Sequence, residues 1–143
     1  MAYATTPDMI EEFGEEELIH LTARPGELHG PVVTSRVERA LSACTDLINS
    51  YLRRRYQVPL SLPAPASITH ACCVLARFDL SNGEQKTPTE QMRLQRKEVI
   101  TWLEGLAVGT VQLDGVPLAG GSGAGAQASD RPRHFSEDSF RGW

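Results

Sequence analysis

Apolar residues recur along this chain at helical spacing, and the clearest run lies between Thr34 and Tyr56. Val37, Ala40, Leu41, Cys44, Leu47, Ile48, Tyr51 and Leu52 follow one another at intervals of three and four. That is one continuous stripe on a helix surface. Ser35 and Glu38 fit a capping box at its start. At ~1.5 Å per residue the stretch makes a rod of ~33 Å. Pro59, Pro63 and Pro65 then force an extended connection.

Shorter elements flank this rod. Thr6-Pro7-Asp8 reads as a helix start, with Thr6 as cap, Pro7 in the first turn and Asp8 complementing the dipole. Met9, Ile10 and Phe13 form its apolar face and Gly14 ends it. A second short helix from Glu15 to Leu21 carries Leu18, Ile19 and Leu21 behind three glutamates. Pro25-Gly26, Gly30 and Pro31 mark a loop. Pro65 opens a further helix to about Leu80. Its centre, Ala71 to Ala76, is apolar nearly all round, the pattern of a helix central in its bundle. Thr87-Pro88-Thr89-Glu90 repeats the start logic for a last helix, which is expected to bury Met92, Val99, Trp102, Leu103 and Leu106 and to end near Gly105 to Gly109. Thr110 to Leu113 alternates like a short strand before the Asp114-Gly115 turn. The expectation is a mainly α fold: a small helical bundle around a long central helix, a short β segment near 110–118, and an extended C-terminal tail.

Composition divides the chain in two. Residues 1–119 form the helical body, whereas GGSGAGAQAS, from Gly120, is a flexible linker that cannot build a core. The end of the chain differs again: Arg131, Arg133, His134, Phe135, Phe140, Arg141 and Trp143 combine aromatics with arginines, the residue types that dominate binding hot spots. Residues 120–143 therefore read as a linker and a partner-docking tail.

Charge narrows the function. The formal charge is −4, unevenly spread: residues 1–30 hold seven acids against one base, and residues 31–119 hold eight acids against ten bases. An acidic chain does not attract nucleic acid through its overall field, so any contact with DNA is local. The local candidate is Arg53, Arg54 and Arg55, read as the last turn of the long helix. Cations there favour the negative end of the dipole, and three consecutive helical residues fan over about 200°. A solvated helix end, a subunit interface and a contact with DNA phosphates all fit this triplet.

Catalytic chemistry does not assemble in the sequence. His20, His29, His70 and His134 are scattered and form no HExxH. Cys44, Cys72 and Cys73 are odd in number and two are adjacent, a poor disulfide framework. They read as reduced, buried, small apolar residues. Adjacent cysteines on a helix point about 100° apart and rarely chelate together. No GxSxG elbow and no phosphate-binding loop is present, and the EEFGEEE run reads as a solvated face. No cofactor, no metal and no enzymatic activity are expected. The N-terminus has neither a basic start nor an apolar run, and no segment reaches the ~20 apolar residues of a membrane span. A soluble protein made in the cytosol is the expectation.

Four blocks, taken together, resemble the Mu-like phage neck-protein family: AYATTPDMIEEFGEEELIHLT, VERALSACTDLINSYLRRRYQVPL, ITHACCVLARFDLS and MRLQRKEVITWLEGLAVGTVQL. They lie in the family's order and span nearly all of residues 2–113. Each is mostly helix-packing chemistry, and the colinear set carries the likeness. Asn49 stands where the family pattern has Asp, which would forgo an ion pair, and Phe78 where Tyr is common. The resemblance implies a helical head-to-tail adaptor: a homo-oligomeric ring, often a dodecamer, beneath the portal protein. Its implied partners are the portal, a downstream neck, stopper or tail-completion protein, and passing genomic DNA without sequence specificity. It implies assembly in the host bacterial cytoplasm and residence in the neck of the virion. The reading from another class is a small DNA-binding regulator that uses the Arg53–Arg55 helix end.

Deleting residues 120–143 is expected to leave the cooperative unfolding of the body intact and to weaken incorporation into particles. Replacing Phe135 and Trp143 together by alanine should reproduce much of that loss. Denaturation curves and the protein content of purified particles read the two effects separately.

Overall fold

The computed structural model describes residues 1–24, 26, 30–83 and 86–119. Within them the chain forms α1 (Thr6–Phe13), α2 (Glu15–Thr22), α3 (Thr34–Leu52), α4 (Ala66–Ser81) and α5 (Glu90–Val108). The tail residues Arg131, Arg133, His134, Phe135, Phe140, Arg141 and Trp143, and the boundary at Gly120, lie outside the described residues.

The apolar circumference of α4 organises the bundle. Ala71, Cys72, Cys73, Val74, Leu75 and Ala76 are each at most 3% exposed, so every side of this central segment needs a neighbour. All four other helices pack against it. The long helix α3 lays Val37, Leu41, Cys44, Ile48 and Leu52 into the same core, and α5 contributes Met92, Leu103 and Leu106. Fully burying one such aliphatic side chain stabilises by about 1.5–3 kcal/mol. Trp102, expected inside, is only partly buried at the edge of the cluster.

Several boundaries differ from the sequence expectation. The cap of α1 is Thr5 rather than Thr6: its side chain accepts from the Asp8 N–H while the Asp8 carboxylate accepts from the Thr5 N–H at 2.8 Å. The box expected from Ser35 and Glu38 does not form, because α3 starts from Val33 without a side-chain cap. The Val33 N–H instead donates to the buried Thr22 hydroxyl at 3.1 Å, which ties the end of α2 to the start of α3. Thr89, not Thr87, caps α5, accepting from the Met92 N–H. Between α1 and α2 the chain turns on Gly14 at φ +92°, a region that side chains rarely enter.

The long helix also stops four residues before Tyr56. Tyr56 is buried, and its hydroxyl accepts from the Leu113 N–H at 3.0 Å. Beside it the Arg55 carbonyl accepts from Ala119 N–H at 2.7 Å, and Gln57 N–H donates to Pro117 O at 3.3 Å. Among the described residues this Tyr56–Leu118 bridge is what remains of the expected β segment. Thr110 to Leu113 is irregular, since its backbone pairs with side chains and helix ends rather than with a strand.

Tyr3 holds the N-terminus to this frame. Its N–H donates to the Thr45 hydroxyl at 3.0 Å, and its carbonyl accepts from the Thr69 hydroxyl at 3.0 Å. Its phenolic hydroxyl donates to Asn49 Oδ1 and accepts from the Leu60 N–H at 2.9 Å. The partner of Asn49 is therefore the hydroxyl of Tyr3, for which an amide oxygen suffices as acceptor. Tyr3 is 3% exposed, so these groups have little access to water. Tyr3→Phe is expected to lower stability by about 1–3 kcal/mol, because the Leu60 donor stays buried without a partner. A fall in the urea midpoint at unchanged slope reads the loss. A variant within ~0.3 kcal/mol of wild type would show that water replaces the hydroxyl.

Candidate interaction surfaces

Of the three arginines at 53–55, the structure separates one from the others. Arg53 and Arg54 are exposed in the turn after α3. Arg55 is turned inward. Its guanidinium lies 5.7 Å from the Tyr56 ring centroid and against Gly109, the left-handed residue that ends α5. A Cβ on Gly109 would sit 3.0 Å from Arg55 Nη1, so the glycine makes room as well as the turn. A cation here complements the C-terminal dipole of α5 rather than that of α3. Arg55 Nη1 is buried without a hydrogen-bond partner among the described residues.

A second arginine joins four helices. Arg77, on α4, donates through Nη2 and Nε to Glu17 Oε1 of α2 at 2.6 and 3.0 Å, and through Nη1 to Gln95 of α5 at 3.2 Å. Its guanidinium also stacks 4.6 Å from the centroid of Phe13 on α1. Lys86 does comparable work at the end of α2, donating to the carbonyls of His20 at 2.5 Å and Leu21 at 2.7 Å. Burial, and secondarily the nearby Arg36, hold its pKa below the usual lysine value.

These attachments present two open grooves of opposite charge. One, of about 580 Å³, lies between α1 and the start of α4 and is lined by Asp8, Glu11, Glu12, Thr69 and His70. His70 Nδ1 lies 3.0 Å from Glu12 Oε1 across it. The other, of about 490 Å³, runs along α5 over Phe78 and is lined by Arg93, Arg96, Lys97 and Ile100. Arg96 stacks 5.0 Å from the Phe78 ring centroid. Residues 93, 96 and 97 fall on one helix face by their spacing of three and four. That signal is present in the sequence, but the conspicuous triplet at 53–55 overshadows it.

The cysteines lie away from both grooves in function. Cys44, Cys72 and Cys73 are free and buried. Burial raises all three thiols, that of Cys73 to about 12. The Asp79 carboxylate beside Cys44, whose Sγ donates to it at 3.5 Å, pushes the same way. A thiolate is the reactive form, so these positions are chemically quiet. Among the described residues no group of three His, Cys, Asp or Glu side chains is placed to hold a metal ion, and no helix is long and apolar enough to cross a membrane.

The order of the elements and the packing of α3, α4 and α5 are carried by segments that also match known proteins. The model of the family described as Bacteriophage Mu, Gp36 matches residues 3–128. The chain belongs to this family. Gene product J of Escherichia phage Mu is 33% identical over 104 residues, which cover 73% of this chain and 70% of that protein. The Mu-like prophage FluMu protein gp36 of Haemophilus influenzae is 35% identical over 79 residues, covering 55% of this chain and 53% of the relative. The matched span takes in Tyr3, the Arg77 cluster and both grooves. Membership in this Mu-like phage family supports a structural or assembly role in the phage.

The thiols give a test of the core. Because the folded pKa values lie above the unfolded value of 9.0, stability is full below pH 9 and declines as pH rises towards about 12 for Cys73. Across that window Cys73 contributes a slope of about 1.4 kcal/mol per pH unit. Cys73→Ala should remove one such share from the pH dependence of unfolding. In native protein at pH 8, a thiol reagent should modify the cysteines only at the rate of unfolding.

Proposed function

We propose that this protein is a head-to-tail adaptor: a virion component that forms a ring beneath the portal and joins the DNA-filled capsid to the tail. The observation that carries this reading is the family match across residues 3–128, which spans the whole helical body. The body suits the role. It is a rigid bundle whose helix ends are tied by Tyr3, Arg77 and Lys86, and it offers separate charged flanks to neighbours. A repeated contact between two different patches closes a ring when the rotation permits. The acidic total charge fits a channel through which DNA passes without adhering. Its work on this reading is geometric rather than catalytic.

The tail at 120–143 would fasten the ring to the portal, to a neighbouring subunit or to the next neck protein. Regulation of DNA through the Arg53–Arg55 helix end fits less well, because Arg55 is packed on Tyr56 and Gly109.

A cryo-EM map of purified particles is expected to show a ring of this chain between portal and tail. Phage lacking the protein should accumulate filled heads and separate tails. Particles that contain none of the chain, with all of it in the cell lysate, would refute the proposal.

A further inference from the structure

The acidic groove on α1 and the basic groove on α5 both carry charge that the subunit itself leaves uncompensated. The two ion pairs among the described residues, His70–Glu12 and Arg77–Glu17, engage neither Glu11 on one side nor Arg93 and Lys97 on the other. Glu11, Arg93 and Lys97 are all exposed. Residues 1–30 carry a net −6 while residues 31–119 carry a net +2, so the imbalance is regional as well as local.

The two grooves cannot be one patch. Both use α4, but one uses Ala66, Thr69 and His70 and the other Phe78. At ~100° and ~1.5 Å per residue, these positions lie roughly 120° apart around α4 and roughly 15 Å apart along it. A pair of complementary patches on different flanks makes a heterologous contact, in which each copy gives one face and receives the other.

The α5 groove has the composition of a protein interface. Phe78 and Ile100 form a partly apolar floor, and Arg93, Arg96 and Lys97 form the rim. Leu94, 53% exposed, flanks it on the same helix. Glu104 also lines the groove and Glu90 and Glu98 stand on the same helix, so the basic patch is short, matching one or two carboxylates rather than a run of phosphates.

We infer that the basic groove on α5 receives the acidic α1 edge of a second copy of this chain, with Glu11 and Glu12 set against Arg93 and Lys97. This rests on the ring reading above and names the surfaces that would close the ring.

Charge reversal tests it with substitutions that each helix tolerates. Glu11→Lys with Glu12→Lys places cations in the last turn of α1, which favours the dipole although Glu12 gives up its exposed pair with His70, and Arg93→Glu with Lys97→Glu changes only solvent-exposed positions of α5. Circular dichroism and unfolding curves confirm that each variant folds. Self-association of the full chain is followed by sedimentation at low salt and over rising concentration. Wild type is expected to assemble and to weaken with salt. Each reversed variant alone should associate at least tenfold more weakly. An equimolar mixture of the two should recover, as should one chain carrying all four substitutions. Carbodiimide coupling in the wild-type assembly should join Lys97 of one copy to Glu11 or Glu12 of another.

Wild-type assembly that neither single reversal alters would overturn this inference and leave the ring reading standing. Monomers under every condition, for wild type, mixture and fourfold variant alike, would overturn the inference, while the ring reading is decided by the map of the particle. Loss of duplex DNA binding in the Arg93/Lys97 variant, with self-association unchanged, would assign the groove to nucleic acid instead and overturn the inference.

Discussion

A helical segment that is apolar around its whole circumference has no face to give to water, and Ala71 to Ala76 of α4 impose that condition on everything else. Its central six residues must be covered from all sides, so the chain before it and the chain after it both fold back. Hydrophobic burial supplies the drive but not the geometry, being non-directional. The geometry comes from a few polar side chains placed where helices meet. Tyr3 fixes the N-terminus to α3, to the proline-rich connection and to α4. Arg77 joins α4 to α1, α2 and α5, and Lys86 takes the last carbonyls of α2. These contacts sit at the margins of the apolar core, where a polar group can be satisfied without crossing it.

The same arrangement explains why charge ends up sorted. The short helices α1 and α2 bury Met9, Leu18 and Leu21 and turn Glu11, Glu12, Glu15 and Glu16 outward. The outer face of α5 keeps Arg93 and Lys97 in solvent while Met92, Val99 and Leu103 go inward. Opposite charges are thus separated by the bundle itself, because the uncharged segment Ala71 to Ala76 of α4 stands at its centre.

What could be read from the sequence follows from the physics of each feature. Helix existence and the buried set of α3 and α4 rest on periodicity over many residues, and both were legible. So was the role of Gly14 as a stop. The caps were legible only to within one or two residues, since Thr5 and Thr6, or Thr87 and Thr89, offer the same hydroxyl. The end of α3 was not legible. It depends on Tyr56 and Arg55 meeting segments near Gly109 and Leu113, more than 50 residues away. The Thr110–Leu113 alternation misled because a two-residue period describes any extended chain, paired or not. The candidate surfaces were the least legible. The arginine triplet stood out by adjacency, although neighbouring residues on a helix face apart, whereas the α5 bases sat at the spacing that brings side chains together.

The Tyr3 anchor bears on the order in which the molecule comes into being. Every partner of this residue lies between 42 and 66 positions downstream. As the chain leaves the ribosome, its first residues emerge long before Thr69 does, and they have nothing to hold. Closing so distant a loop carries an entropic cost that only the finished helices repay. The acidic edge is therefore set in place only after α3 and the start of α4 have formed, although it is synthesised before them. A chain that stops short of α4 cannot seat that edge, so the acidic face on α1 exists only in subunits that have already built α3 and the start of α4.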